Sequence, residues 1–125
     1  QQNIKVKDFT IETKKIQMLT LDFYCKKNKI SNINILKIDT QGYEDKVLEG
    51  SKKYLKRKKI SAIELEMMFD NVYNRYLTFT DVEKNLLKNG YRFTGIETCN
   101  NNLFENILFF GDILYLKKEI LNSKL

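Results

Sequence analysis

INILKIDTQGYEDKVLEGSKKYLKRKKISAIELE, residues Ile33 to Glu66, reads as a strand, a polar loop, a helix and a second strand. The run Ile33 to Ile38 is short, branched and mostly apolar, the pattern of a strand covered on both faces. It stops at Asp39, and Gln41-Gly42 supplies the turn that follows. Glu44 and Asp45 suit the positive end of a helix, whose inner stripe is Val47, Leu48, Ser51, Tyr54 and Leu55. Gly50, in mid-helix, predicts a close approach of that helix to the sheet. Ile60 to Met67 is the next strand, and a crossover of this length implies parallel strands. Ligands of open parallel sheets sit at the carboxyl ends of strands, so function is expected at Lys37 to Glu44.

Outward from this unit, Thr20 caps a helix running to about Asn28, with Leu21, Tyr24 and Cys25 as its apolar stripe. Ile4 to Phe9 and Lys14 to Leu19 lean toward strand, the second as a half-exposed hairpin arm. Asp70 to Phe79 is irregular and, with Phe69, Tyr73 and Tyr76, aromatic; it follows a strand end in the position of a lid. Thr80-Asp81-Val82-Glu83 has the form of a capping box, Val82, Leu86 and Leu87 give an apolar face, and Gly90 ends the helix. Tyr91 to Glu97 is a strand, Thr98 to Asn106 a polar turn, and Ile107 to Lys117 one broken or two short strands interrupted at Gly111. The last two strands are expected to be antiparallel neighbours. The 125 residues contain no proline, repeat or linker, so the class is α/β in one domain.

Composition narrows the chemistry. There is no histidine, which removes mechanisms built on a histidine base; proton transfer must use carboxylate, lysine, tyrosine or water. Cys25 and Cys99 form no CxxC motif, and Cys25 fits a core position better than a nucleophile. No apolar run approaches the ~20 residues that span a bilayer, so a soluble, cytoplasmic protein with no membrane partner is expected. The net charge of +6 owes much to Lys52, Lys53, Lys56, Arg57, Lys58 and Lys59; basic residues near a helix C-terminus explain the run better than nucleic-acid binding. The start, Gln-Gln-Asn-Ile-Lys, has no methionine or apolar leader and suggests that the chain begins inside a longer product.

Asp39 ends its strand where a carboxylate could orient a hydroxyl, act as base or bind a metal; it could equally cap the loop that follows. Lys37 shares strand parity with Asp39, and Glu64 and Glu66 share one parity on the next strand. Lys37 is therefore expected to pair with Glu64 or Glu66. Gly42 suits a positive φ or close backbone approach. Glu44 either begins its helix or touches substrate. Glu66 lies at the carboxyl end of the next strand, and if it converges with Asp39, two carboxylates are too few to assign a metal. Tyr73 and Tyr76 either line a pocket or belong to the core.

These blocks, LKIDTQGYE (36–44), VLEGS (47–51) and IELE (63–66) followed by Phe69 and Tyr73, resemble the FkbM-type S-adenosylmethionine-dependent methyltransferases. Thr20-Leu21-Asp22, Gly90-Tyr91-Arg92-Phe93 and Gly111 to Leu116 extend the resemblance over roughly Met18 to Lys118. It implies a Rossmann-like class I methyltransferase fold, represented by its C-terminal half, with parallel strands flanked by helices and a closing antiparallel pair. The half that carries the glycine-rich cofactor turn would precede this segment. The resemblance further implies methyl transfer to an oxygen of a small molecule or sugar. Asp39 and Glu66 are then catalytic candidates, Asp39, Gln41 and Gly42 border S-adenosylmethionine, and Lys37, Glu44 and Tyr73 border the acceptor. The competing expectation is a non-catalytic binding or assembly module, including a homo-oligomer joined through an exposed sheet edge.

Overall fold

A computed structural model describes residues 14–69, 77–98 and 110–123. Ile4 to Phe9, Tyr73, Tyr76, Cys99 and most of the expected lid and polar turn lie outside them. The described elements are α1 (Leu21–Lys27), β1 (Ile33–Ile38), α2 (Glu44–Gly50), α3 (Lys52–Lys56), β2 (Ile60–Met68), α4 (Phe79–Lys88), β3 (Tyr91–Thr98), β4 (Phe110–Lys117) and α5 (Lys118–Asn122).

The four strands form one sheet in the order β1-β2-β4-β3. β1 and β2 are parallel, as the crossover implied; β4 is antiparallel to both β2 and β3. The final strand is thus inserted beside β2 rather than added at the rim. Burial alternates along β4, with Ile113 and Tyr115 at 0% exposure, and β2 contributes Ile63, Leu65 and Met67 to the same face. Leu48 and Leu55 from the crossover helices and Val82 and Leu86 from α4 close that core. Tyr91 is buried with it, and its hydroxyl donates to Ile60 O at 2.9 Å. Burial pushes the Tyr91 hydroxyl up to about 12, so it stays a neutral donor.

Several expectations need correction. β1 is not covered on both faces: Asn34, Ile35 and Lys37 are exposed, and Ile35 retains 66% of its surface. Among the described residues β1 is an edge strand. Ile33 N donates to Lys59 O at 2.8 Å, so by the alternation of a parallel ladder Asn34, Leu36 and Ile38 turn their amides to the open side. Lys14 to Leu19 is irregular, with Ile16 and Met18 exposed, and no described strand pairs with it.

The expected single crossover helix is two helices. At Ser51 the amide bonds Leu48 O, three residues back, while the side-chain hydroxyl donates to Val47 O at 2.6 Å, and the axis breaks there. The close approach at Gly50 is to Thr20, whose Cβ would lie 3.2 Å from an added methyl, not to the sheet. Asp22 then caps α3 from outside: its carboxylate accepts from Lys53 N at 2.9 Å and Tyr54 N at 3.1 Å. Thr20 caps α1 as expected, accepting from Phe23 N, and Cys25 is buried in the core.

α4 starts at Phe79, one residue before the expected box, and is capped two residues before it. Its cap is Thr78, which accepts from Asp81 N at 3.2 Å and donates to the Asp81 carboxylate at 2.5 Å. Leu87, expected on the apolar face, is 38% exposed. β4 runs unbroken through Gly111, which pairs with Met67 on one side and Thr98 on the other; the irregularity lies in β3, between Phe93 and Gly95. Gly111 is needed for space, because a Cβ there would sit 2.8 Å from Glu97 O.

Gly111→Ala should therefore cost about 1–3 kcal/mol, the usual range for overpacking. Gly95→Ala, where nothing lies within 4 Å, should be neutral or mildly stabilising. Urea unfolding of the two variants checks the contrast, which equal costs would refute.

Candidate functional site

β1 and β2 end side by side, and a short loop carries the chain from Ile38 back over their carboxyl ends into α2. Gln41 and Gly42 hold consecutive positive φ values, 53° and 99°. Glycine takes such a conformation without penalty, whereas Gln41 is held in it by what surrounds it. The double turn aims the Gln41 amide back across the strand ends. Its nitrogen donates to Asp39 Oδ1 at 2.9 Å and to Glu66 Oε2 at 2.8 Å, bridging the two carboxylates. Both partners are acceptors, so the bridging atom must be the NH₂ group, which has two hydrogens to give.

Glu44 braces this loop from below. It is 7% exposed, and its Oε1 accepts from Thr40 N at 3.1 Å and Thr40 Oγ1 at 3.0 Å, while Gly42 N lies 3.2 and 3.1 Å from its two oxygens. The loop's own donors engage the Glu44 carboxylate, at the helix start that was the first of its two expected roles. Its place in the first turn of α2 adds a favourable interaction with the helix dipole.

On the open face of the sheet, Lys37 stands opposite Glu64 and Glu66 opposite Asp112. Lys37 Nζ lies 2.7 Å from Glu64 Oε1 and 3.5 Å from Asp112 Oδ2, so the expected ion pair is made with Glu64. That hydrogen bond, followed by the nearby Asp112, holds the Lys37 ammonium above its usual range. Glu66 is shifted upward, first by partial removal from water and then by repulsion from Asp39; the Gln41 hydrogen bond opposes the shift. Asp112 was not anticipated from sequence. Only the insertion of β4 beside β2 puts it opposite Glu66. Tyr73, the remaining acceptor candidate, lies outside the described residues.

Two hollows flank the loop, and neither is walled by Asp39 or Glu66, which stand at the exposed strand ends. One, of about 830 Å³, is mainly apolar, with Met18, Leu19, Tyr43 and Val47 in its walls and Thr40 at its edge. The other, of about 720 Å³, lies between α1 and α3.

The arrangement defines a class: an α/β protein with a bridged carboxylate pair at parallel strand ends, the position at which such sheets hold ligands. The sequence profile described as the methyltransferase FkbM domain matches residues 2–93, well over half of the chain. The chain belongs to this methyltransferase family. The match takes in β1, the loop, β2 and α4 and ends at Phe93, so β4 with Asp112 lies beyond it. No curated protein matches the chain.

Removing the brace would leave Thr40 and Gly42 amides without their acceptor, at about 1–3 kcal/mol. Glu44→Ala should lower stability by that amount in denaturant unfolding, and an unchanged midpoint would show that the loop holds itself. The carboxylate pair has its own signature. By carboxyl NMR, Glu66 should titrate above the ordinary glutamate value of about 4.3. Asp39→Asn should bring it down by removing the like charge, and Gln41→Ala should send it further up by removing the donor.

Proposed function

We propose that this chain is the acceptor-side part of an S-adenosylmethionine-dependent methyltransferase, acting on a hydroxyl oxygen of a small molecule or sugar. The observation that carries the reading is the Gln41 amide held at 2.9 and 2.8 Å between Asp39 and Glu66, at the strand ends of a chain in a methyltransferase family. Strand order β1-β2-β4-β3, with only the inserted strand's pairings antiparallel, supports the C-terminal half of a Rossmann-like class I sheet, in one partial domain.

The residues present fit the cofactor. S-adenosylmethionine supplies an electrophilic methyl group on a cationic sulfonium, and clustered carboxylates are compatible with that charge. The apolar hollow edged by Thr40 and Tyr43 has the size and walls of a small-molecule site and suits the flat purine. Asp39, Gln41 and Gly42 form the loop on that side. Asp39 accepts the hydroxyl proton of the acceptor, so that oxygen gains the methyl as it loses hydrogen. Glu66 and Gln41 hold Asp39 in place, and Lys37 borders the acceptor from the open sheet face. Orientation of this kind contributes much of the rate of a two-substrate transfer.

A second reading is favoured by one observation, the edge of β1 that is left unpaired among the described residues, beside the exposed Ile35. It makes the chain a non-catalytic assembly module that joins another strand, including that of a second copy. Transfer of labelled methyl from S-adenosylmethionine to a panel of hydroxylated acceptors separates the two. The enzyme reading expects turnover that falls about 10²–10⁴-fold in Asp39→Asn, the usual contribution of a general base. Undiminished turnover in that variant would remove Asp39 from the chemistry, and absence of both cofactor binding and transfer would favour the assembly module.

A further inference from the structure

The hollow between α1 and α3 has no part in the methyl-transfer reading. α1 packs against α3, and Lys26 on α1 faces Lys53 and Arg57 across a groove of about 720 Å³. Lys53 and Arg57 are four residues apart and therefore share one face of the α3 turn. The acidic side chains in the same walls are already engaged. Asp22 holds the amides of Lys53 and Tyr54 at 2.9 and 3.1 Å, and Glu49 holds Lys46 and Lys52, each at 3.1 Å. Those two lysines keep the Glu49 carboxyl below its usual range, as expected of a carboxylate with its partners in place. Lys26, Lys53 and Arg57 make no ion pair among the described residues.

Four cations and two carboxylates thus line one concavity, which keeps an excess of positive charge, and the carboxylates are held by the α3 amides and by Lys46 and Lys52 rather than by Lys26, Lys53 or Arg57. A guanidinium adds the fork that matches phosphate oxygens, and Phe23, 52% exposed in the wall, offers an apolar ring face beside the charges. The volume is that of a small-molecule site. We propose that this groove binds a phosphate-bearing small molecule, with Lys26, Lys53 and Arg57 holding the phosphate and Phe23 contacting its organic part. An extended polyanion such as nucleic acid is the competing occupant. The small one is favoured because the groove is confined to α1, α3 and the end of α2 and has the volume of a small-molecule site.

The test is calorimetric titration of the full chain with inorganic pyrophosphate and with ADP at about 0.15 M salt, where exposed charges more than about 8 Å apart are largely screened. Saturable binding of one molecule per chain is expected, with ADP at least as tight as pyrophosphate. The exposed double variant Lys53→Gln/Arg57→Gln should weaken both at least tenfold. Lys84→Gln/Lys88→Gln on α4, which removes the same charge elsewhere, should change neither by more than about twofold. Absence of saturable binding, equal loss in the two double variants, or much tighter binding of a single-stranded oligonucleotide than of ADP would each overturn the proposal. Circular dichroism of the variants verifies that the fold is kept, and because binding is read directly the result is independent of methyl transfer.

Discussion

A buried carboxylate at the start of a helix governs the rest of the site. Glu44 gathers donors from Thr40 and Gly42, and in doing so closes the chain into two successive left-handed residues. Without that acceptor the Thr40 and Gly42 amides would lose their partner in a part-buried loop, and the turn that carries Gln41 at a φ of 53° would lose its brace. The Gln41 amide reaches Asp39 and Glu66 only because the turn is held. Glu44 is thus the best buried of the three acidic residues around the loop.

The two carboxylates above it are kept together by a neutral donor rather than by a cation. Lys37 is drawn instead to Glu64 and Asp112 on the open face of the sheet. Asp39 and Glu66 consequently repel one another across the Gln41 amide, and Glu66 is pushed toward protonation.

The sheet is organised around β2, the one strand with neighbours on both sides that come from opposite directions in sequence. Its odd-numbered side chains face the helices and form the core, while Glu64 and Glu66 stand on the side that no described helix covers. This one-sided cover explains the exposed β1, the charge network on the open face and the lack of enclosure around the carboxylates. The helices on the other side bring their own arrangement, in which Asp22 caps α3 and leaves the cations of that helix to look outward.

Much of this was legible in the chain. The period of the apolar residues located α1, β1, β2, α4 and β3 to within a few residues, because local hydrophobic pattern and capping chemistry are short-range. Strand parity narrowed the Lys37 partner to Glu64 or Glu66, since a parallel crossover constrains which faces align, and the register chose Glu64. The loop residues were named from the KIDTQGYE block, and their family is borne out by the profile match. What failed or was missed depends on neighbours distant in sequence. The cover of β1, the unbroken passage through Gly111, the approach of Gly50 to Thr20 and the arrival of Asp112 opposite Glu66 are set by where β4 and α1 come to rest. Likewise the hydrogen bonds that Glu44 and Gln41 make were not foreseen, because bonds within a turn depend on φ angles, which side-chain pattern does not encode. The sequence by itself determined which residues are apolar, which can cap and which can carry charge; only the tertiary structure decided which of those charges meet, because strand insertion and loop closure place them within bonding distance.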